Sequence, residues 1–337
     1  MPIRLSDVAA RSGVSEATVS RVLNRRPGVS KATRTLVLET VDDLRYRTTR
    51  KSAQPSELIG VIAQDSVSGM VPGLVDGVLT ALHRRGHLPV LCSQAHGAPR
   101  EDHAVRRLLE RGVTGLVFLF GDHTDTAGNH EIYHQLAESS IAHVLVGGAA
   151  FDAAAACISN DDVAGSEIAV RYLSELGHAR TGMILGSSRY LTTRRKCEAF
   201  VAILTEWGIP AEDAHELIAY SLDSEEAGFC AAETLLDKGC TGLICDSEAM
   251  ALGAVKAARA RSMNVPDDLS VVVFGDSTLA RHTQPPLTVV SPPVVKMAES
   301  IADALLMAVN GTPLSSLELC FRPDLIIRGS SGKAPTF

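Results

Sequence analysis

The sequence predicts a small all-α helix-turn-helix headpiece followed by two α/β lobes built on parallel sheets. Three observations carry this. Residues 7–24, DVAARSGVSEATVSRVLN, place short apolar groups on either side of Ser12-Gly13. From residue 58 onward, short apolar runs alternate with amphipathic stretches, the pattern of buried parallel strands joined by helices. At 337 residues the chain exceeds one typical core, so two or three compact units are expected.

In the headpiece, Leu5, Val8 and Ala9 make the apolar face of a first helix capped at Leu5 or Ser6. Gly13 suits a turn that needs a left-handed backbone. Ser15 caps a second helix with Val19, Val22 and Leu23 inward, which leaves Glu16, Ala17, Thr18, Ser20 and Arg21 outward. Ser30 caps a third helix, KATRTLVLETVDDL, which closes the core with Val37, Leu38, Val41 and Leu44. A polar, exposed second helix after a tight turn is the geometry that enters a major groove. Charge agrees. Residues 1–51 hold eleven Lys/Arg against five acids, +6, whereas the remainder carries −13 of the overall −7. A basic head on an acidic body suits a polyanion at one end only.

The body holds nine apolar runs, from LIGVIA (58–63) and LPVLC (88–92) to LSVVVFG (269–275) and LTVVS (287–291). Nine strands exceed one comfortable sheet, so two lobes are expected. RTTRKSAQPSE (47–57) reads as a linker, and the four prolines of QPPLTVVSPPV (284–294) as a rigid crossover between lobes. The boundaries expected are 1–46 for the headpiece, 47–57 for the linker and 58–330 for the body. Within the body, the N-lobe takes 58–158 and 288–316, and the C-lobe 159–287 and 317–330.

Several classes are excluded. No segment approaches the roughly 20 apolar residues of a membrane span, and MPIRLSDVAARS has no apolar signal core. Seven scattered cysteines with no CxxC pair suit reduced thiols in the cytoplasm. No GxGxxG, GxxxxGK[ST] or GxSxG occurs. His130 and His134, with Asp122 and His123 upstream, have neither HExxH spacing nor a Cys partner. No metal, no cofactor and no enzymatic activity are expected.

The stretch LSDVAARSGVSEATVSRVLNRRPGVSKATR resembles the headpiece of the lactose-repressor (LacI) family of bacterial transcription regulators. SELGHARTGMILG, RRKCEAF, MALGAVKAARARSMNVPDDLSVVVFGD and PPLTVV are similar to that family's regulatory core. The resemblance runs to about FRPDLIIRGS and implies periplasmic-binding-protein-like lobes. It further implies a dimer on double-stranded operator DNA, acting as a repressor controlled by a small metabolite. By position in the motif, Glu16, Ala17 and Arg21 match base-reading residues, and Thr18, Ser20, Asn24, Ser30, Thr33 and Arg34 match backbone contacts. Arg can donate twice to guanine, Glu can accept from cytosine and an Ala methyl can meet thymine. The alternatives are an effector-independent regulator with a degenerate cleft, or an enzyme or solute-binding protein on the same lobes.

The chain departs from the family in two places. The Tyr46-to-Gly60 spacing is about one helical turn short, lacks a leucine before Leu58 and contains Pro55, so no leucine wedge in the minor groove is expected. In the cleft, the family's arginine is Lys196, two aspartates are Gly147 and Gly275, and the usual aromatic pair is Met70-Val71. The remaining effector candidates are Asp65, Ser66, Arg194, Lys196, Ser247, Glu248 and Asp276. With carboxylates lost and Lys196 kept, a cationic site for an anionic sugar or sugar phosphate is expected. No leucine heptads follow the last strand, so the assembly expected is a homodimer, joined through the helix around Leu74–Leu82.

Overall fold

The computed structural model describes residues 5–23, 26, 28–30, 32–40, 58–64, 70–94, 101–312 and 317–335. The chain divides into two compact units, Met1–Glu57 and Leu58–Phe337.

In the first unit, α1 (Leu5–Ser12) and α2 (Glu16–Leu23) flank Gly13, whose φ is +67°. α3 spans residues 32–40. Both expected caps form: Ser15 Oγ accepts from Thr18 N at 3.3 Å, and Ser30 Oγ from Thr33 N at 3.1 Å. Val8, Ala9, Val19, Val22 and Val37 make the core, with Val14 and Val29 packed against it. Leu38, expected inside, is 45% exposed. Val37 and Thr40 set the inward face of α3, and Leu38 is turned about 100° from Val37 by the helical period. Val41, Leu44, Asn24, the side chain of Leu23 and the linker with its missing leucine wedge lie outside the described residues.

The second unit is built on two six-stranded sheets. The first lobe runs β1 (Leu58–Gln64), α4 (Met70–Arg84), β2 (Leu88–Gln94), α5 (Glu101–Glu110), β3 (Gly115–Leu119), α6 (Glu131–Glu138), β4 (Ala142–Val146) and β5 (Ala156–Asn160). The second runs α7 (Asp162–Glu175), β6 (Thr181–Leu185), α8 (Leu191–Glu206), α9 (Ala211–Glu216), β7 (Ile218–Tyr220) and α10 (Glu225–Asp237). It continues through β8 (Gly242–Cys245), α11 (Glu248–Ala260), β9 (Ser270–Phe274), α12 (Thr278–His282) and β10 (Thr288–Ser291). The chain then returns: α13 (Val294–Val309) packs on the first sheet, β11 (Glu318–Phe321) joins that sheet, and β12 (Asp324–Ile326) joins the second. The strand orders are β11-β5-β4-β3-β1-β2 and β12-β10-β9-β8-β6-β7, parallel except for β12.

Two expected lobe boundaries shift. The proline-rich stretch is a strand of the second sheet, because the prolines bracket β10 and leave Thr288–Val290 free to pair with β9. The crossover follows at Pro292-Pro293. Residues 318–321, expected in the C-lobe, pair with β5 in the first sheet.

The helix expected at the dimer seam spends its apolar face within its own lobe. Leu74, Val78 and Leu82 are fully buried within their own lobe, on the sheet and α13. α13 comes so close at Gly77 that a Cβ there would lie 2.8 Å from the Ala298 Cβ. The apolar stripe of α4 is consumed inside the protomer, and its exposed positions are Pro72, Gly73, Asp76, Thr80, His83 and Arg84. Among the described residues, no helix is long and apolar enough to cross a membrane.

Candidate functional site

On α2, Val19 and Val22 face inward while Glu16, Ala17 and Arg21 are exposed. Among the described residues no ion pair engages Glu16 or Arg21. The backbone-contact candidates gather at two helix starts. The Thr18 hydroxyl lies 2.9 Å from Ser15 Oγ, and Thr33 Oγ1 lies 2.7 Å from Ser30 Oγ. Arg34 donates to the Arg26 carbonyl at 3.1 Å. Ser20 is half-buried on α2. Capped helix starts direct backbone N–H groups outward, which is the chemistry that binds phosphate.

Between the lobes lies a cleft of about 730 Å³. Its walls come from the carboxyl ends of strands: Gln64 at β1, Phe120 after β3, Asn160 at β5, Ser187 after β6, Asp246 after β8, Phe274 at β9. This is where open parallel sheets present ligand sites.

The charged floor is self-neutralised. Lys196 Nζ lies 2.7 Å from Asp246 Oδ1 and 3.7 Å from Asp162 Oδ1, and stacks 4.7 Å above the Phe274 ring. Burial pulls the Lys196 ammonium down, but the two carboxylates outweigh it and hold the group above its ordinary value. Burial pushes the Asp162 carboxyl up to about 6 against the pull of Lys196, so Asp246 is the principal counterion. Asp223 adds a third carboxylate to the lining and accepts from Ser247. Arg189, the other cation of the lining, pairs with Asp125. The described residues therefore do not form the cationic site expected from sequence: among them the cations at the wall already have partners, and carboxylates outnumber them.

Each candidate has a definite place. Lys196 and Ser247 line the cleft. Ser247 also caps α11, accepting from Met250 N at 3.2 Å. Arg194 does not line it; half-exposed on α8, it reaches Glu198 at 3.9 Å. Residues 192, 193 and 196 share the cleft-facing side of that helix, and 194 points elsewhere. Glu248 is buried, not lining, and accepts from Ser277 N at 2.8 Å and from the Ser277 hydroxyl, tying the β8 and β9 ends together. Asp276 likewise serves structure: it pairs with Arg328 at 2.6 Å and Arg281 at 2.9 Å, and these guanidiniums overcome burial to hold its carboxyl below the usual range. Asp65 and Ser66 lie outside the described residues.

Sequence reasoning missed Asp162, Asp223, Asp246, Asn160 and the aromatic walls Phe120, Tyr190 and Phe274. Phe120 explains Gly147. A Cβ at Gly147 would lie 2.7 Å from the Phe120 ring, and φ there is +100°, so the ring fills the space an aspartate would need. The histidines singled out upstream of α6 are packing groups. His130 stacks on Phe151 at 4.5 Å, and its Nε2 lies 2.9 Å from the Asp125 carbonyl. His123 is fully buried, and burial drives its pKa down to about 4.

Two polar clasps cross between the lobes. Arg189 Nε donates to Asp125 Oδ1 at 3.0 Å, while Thr126 N and Oγ1 both donate to the Arg189 carbonyl at 2.8 Å. Arg195 on α8 makes a bidentate pair with Glu318 of β11, both contacts at 2.7 Å. Beneath the first clasp, Glu101 accepts from Asp122 N at 3.2 Å and from the Tyr133 hydroxyl. Burial pushes the Glu101 carboxyl up to about 7.

Residues 4–49 match the family described as bacterial regulatory proteins, lacI family, and residues 170–331 match a periplasmic binding protein-like domain. An HTH-type transcriptional regulator of the aml 5′ region in Streptomyces limosus is 44% identical, over 98% of this chain and 95% of that protein. The HTH-type transcriptional regulator MalR of Streptomyces coelicolor is 42% identical, over 99% of this chain and 98% of its own length. Among solved structures, the transcriptional regulator CelR in complex with cellobiose matches with a TM-score of 0.71 at 26% identity, covering 97% of this chain and 99% of that one.

Proposed function

This chain belongs to the LacI family of bacterial regulatory proteins, and from that premise we propose a cytoplasmic homodimer without catalytic activity that reads its operator with Glu16, Ala17 and Arg21. Thr18, Ser20, Asn24, Ser30, Thr33 and Arg34 hold the phosphates, and repression answers to a neutral saccharide bound between the lobes. The observation that carries the DNA reading is α2 itself, which buries Val19 and Val22 and leaves Glu16 and Arg21 exposed without an ion pair among the described residues. Arg21 suits bidentate donation to guanine, and the phosphate contacts position the helix without selecting sequence.

For the effector, support comes from the neutralised floor. An anion entering the cleft meets Asp162, Asp223 and Asp246, with Lys196 already held by two of them. A saccharide instead brings hydroxyls for carboxylates and C–H faces for Phe120, Tyr190 and Phe274. The similar CelR structure is a cellobiose complex, and a cavity of about 730 Å³ has room for two rings.

The test is a duplex selection followed by binding with the full chain. Arg21→Ala should cost roughly 1–3 kcal/mol on the selected operator and relax preference at one base pair per half-site. Arg34→Ala should weaken every sequence alike and lower the salt dependence. Sequence preference unchanged in Arg21→Ala would remove α2 as the reading helix. Sedimentation at micromolar concentration should give a dimer; a monomer or stable tetramer contradicts the assembly.

A further inference from the structure

One group in the cleft wall is left unsatisfied. Asn160 ends β5, is 9% exposed and lines the cleft. Its amide hydrogen-bonds the Asp162 carboxyl, which burial raises only to about 6, so near neutral pH that neighbour is mainly an acceptor. The donor end of the amide, Nδ2, must therefore face Asp162. Oδ1 is left buried with no hydrogen-bond partner among the described residues. A stranded buried carbonyl costs about 1–3 kcal/mol, and native proteins satisfy nearly all such groups.

Among the described residues no side chain donates to Asn160 Oδ1. Lys196, a cation of the same lining, is held by Asp246 and Asp162. Asp223 is occupied by Ser247. Asp162 and Asp246, like the stranded carbonyl, are acceptors in this lining. A phosphate or carboxylate ligand brings more acceptors, whereas a hydroxyl brings a proton to give.

We infer that Asn160 is a specificity-determining residue of the cleft, whose Oδ1 accepts a hydrogen bond from one hydroxyl of a neutral polyol ligand while Asp162 fixes the amide's orientation. This rests on the saccharide reading of the cleft. A site with a waiting acceptor selects against analogues that lack the hydroxyl, because binding them leaves the carbonyl without a partner.

The experiment is calorimetric titration of the full-length protein with glucose, cellobiose, maltose and lactose, then with monodeoxy derivatives of whichever binds most tightly. The wild type should lose about tenfold or more in affinity for one monodeoxy derivative. Asn160→Leu and Asn160→Ala should lose a similar factor toward the parent sugar, and lose nothing further when that same hydroxyl is removed. The second variant keeps the cycle readable where the first does not fold. If either folded variant binds the parent sugar as the wild type does, or still discriminates against the same monodeoxy derivative, the assignment of Asn160 is overturned while the saccharide reading stands. If none of the four sugars binds the wild type, the saccharide reading falls and this inference with it.

Discussion

On α2 the side chains proposed to read DNA stand exposed, and no ion pair among the described residues holds Glu16 or Arg21. In the cleft the charges hold one another: Lys196 with Asp246 and Asp162, Arg189 with Asp125. The difference follows from the ligands. DNA arrives with a dense array of phosphates and base edges, so a reading helix gains by keeping cations unpaired in water, where an unpaired charge costs little. A buried cleft has no such licence, because an isolated ammonium removed from water is far too costly. Its cation must be neutralised before any ligand arrives, and selectivity passes to whatever acceptors remain.

The contrast breaks most directly at Asp246. Asp246→Ala leaves the Lys196 ammonium with only Asp162 at 3.7 Å, and should destabilise the body by roughly 3–5 kcal/mol in denaturant unfolding. Arg21→Ala removes a charge of the same magnitude from α2 and should change stability by less than about 0.5 kcal/mol. Equal costs at the two sites would erase the distinction.

Glu101 sharpens it with pH. Its carboxyl titrates near 4.5 in the unfolded chain and near 7 when folded. Between those values the folded state keeps a proton that the unfolded chain has lost, so this contribution to stability falls as pH rises through 4.5 to 7. The full effect is on the order of 3 kcal/mol. His123 works in the opposite sense. Its pKa is lowered to about 4, so its contribution falls as pH drops below 6.5. The test is therefore the difference between wild type and Glu101→Gln, which should move by that amount in the variant's favour from pH 4.5 to 7. A constant difference contradicts a buried, proton-holding carboxyl beneath the first clasp.

The smallest effect belongs to the clasp itself. Arg189 is half-exposed, so Arg189→Ala should leave global stability nearly unchanged and act locally. Amide exchange at Thr126, whose N–H donates to the Arg189 carbonyl, should quicken in the effector-free protein. Unchanged exchange there would mean that the backbone pairing stands without the side-chain contact.

How much of this is legible in the sequence differs between the same two regions. The headpiece is local: its caps, turn and outward face lie within three or four residues of one another, and Ser15, Gly13 and Ser30 all behave as read. The cleft is assembled from strand ends far apart in the chain. Lys196 and Asp246 are 50 residues apart, and no periodicity connects them. Asp246 follows an apolar run directly, a position where parallel sheets place ligand groups, and it is legible there beside Ser247 and Glu248. Arg194 was excludable on the helical period that puts Lys196 on the cleft side. β5, β11 and β12 escaped notice because ACISN, ELCF and DLI are short and mix polar residues into the run. Gly147 in place of an aspartate points to a cationic site, but the Phe120 ring and the three carboxylates that offset it come from positions remote in the sequence.

The central claim is that a neutral saccharide in this cleft controls the hold of the headpiece on DNA. Operator binding by the full-length protein, followed by fluorescence anisotropy with cellobiose, maltose and the 6-phosphates of glucose and maltose, tests it most directly. At least one neutral sugar should shift operator affinity fivefold or more, about 1 kcal/mol of coupling, and the phosphates should leave it unchanged. A shift produced only by the phosphorylated sugars would contradict the account.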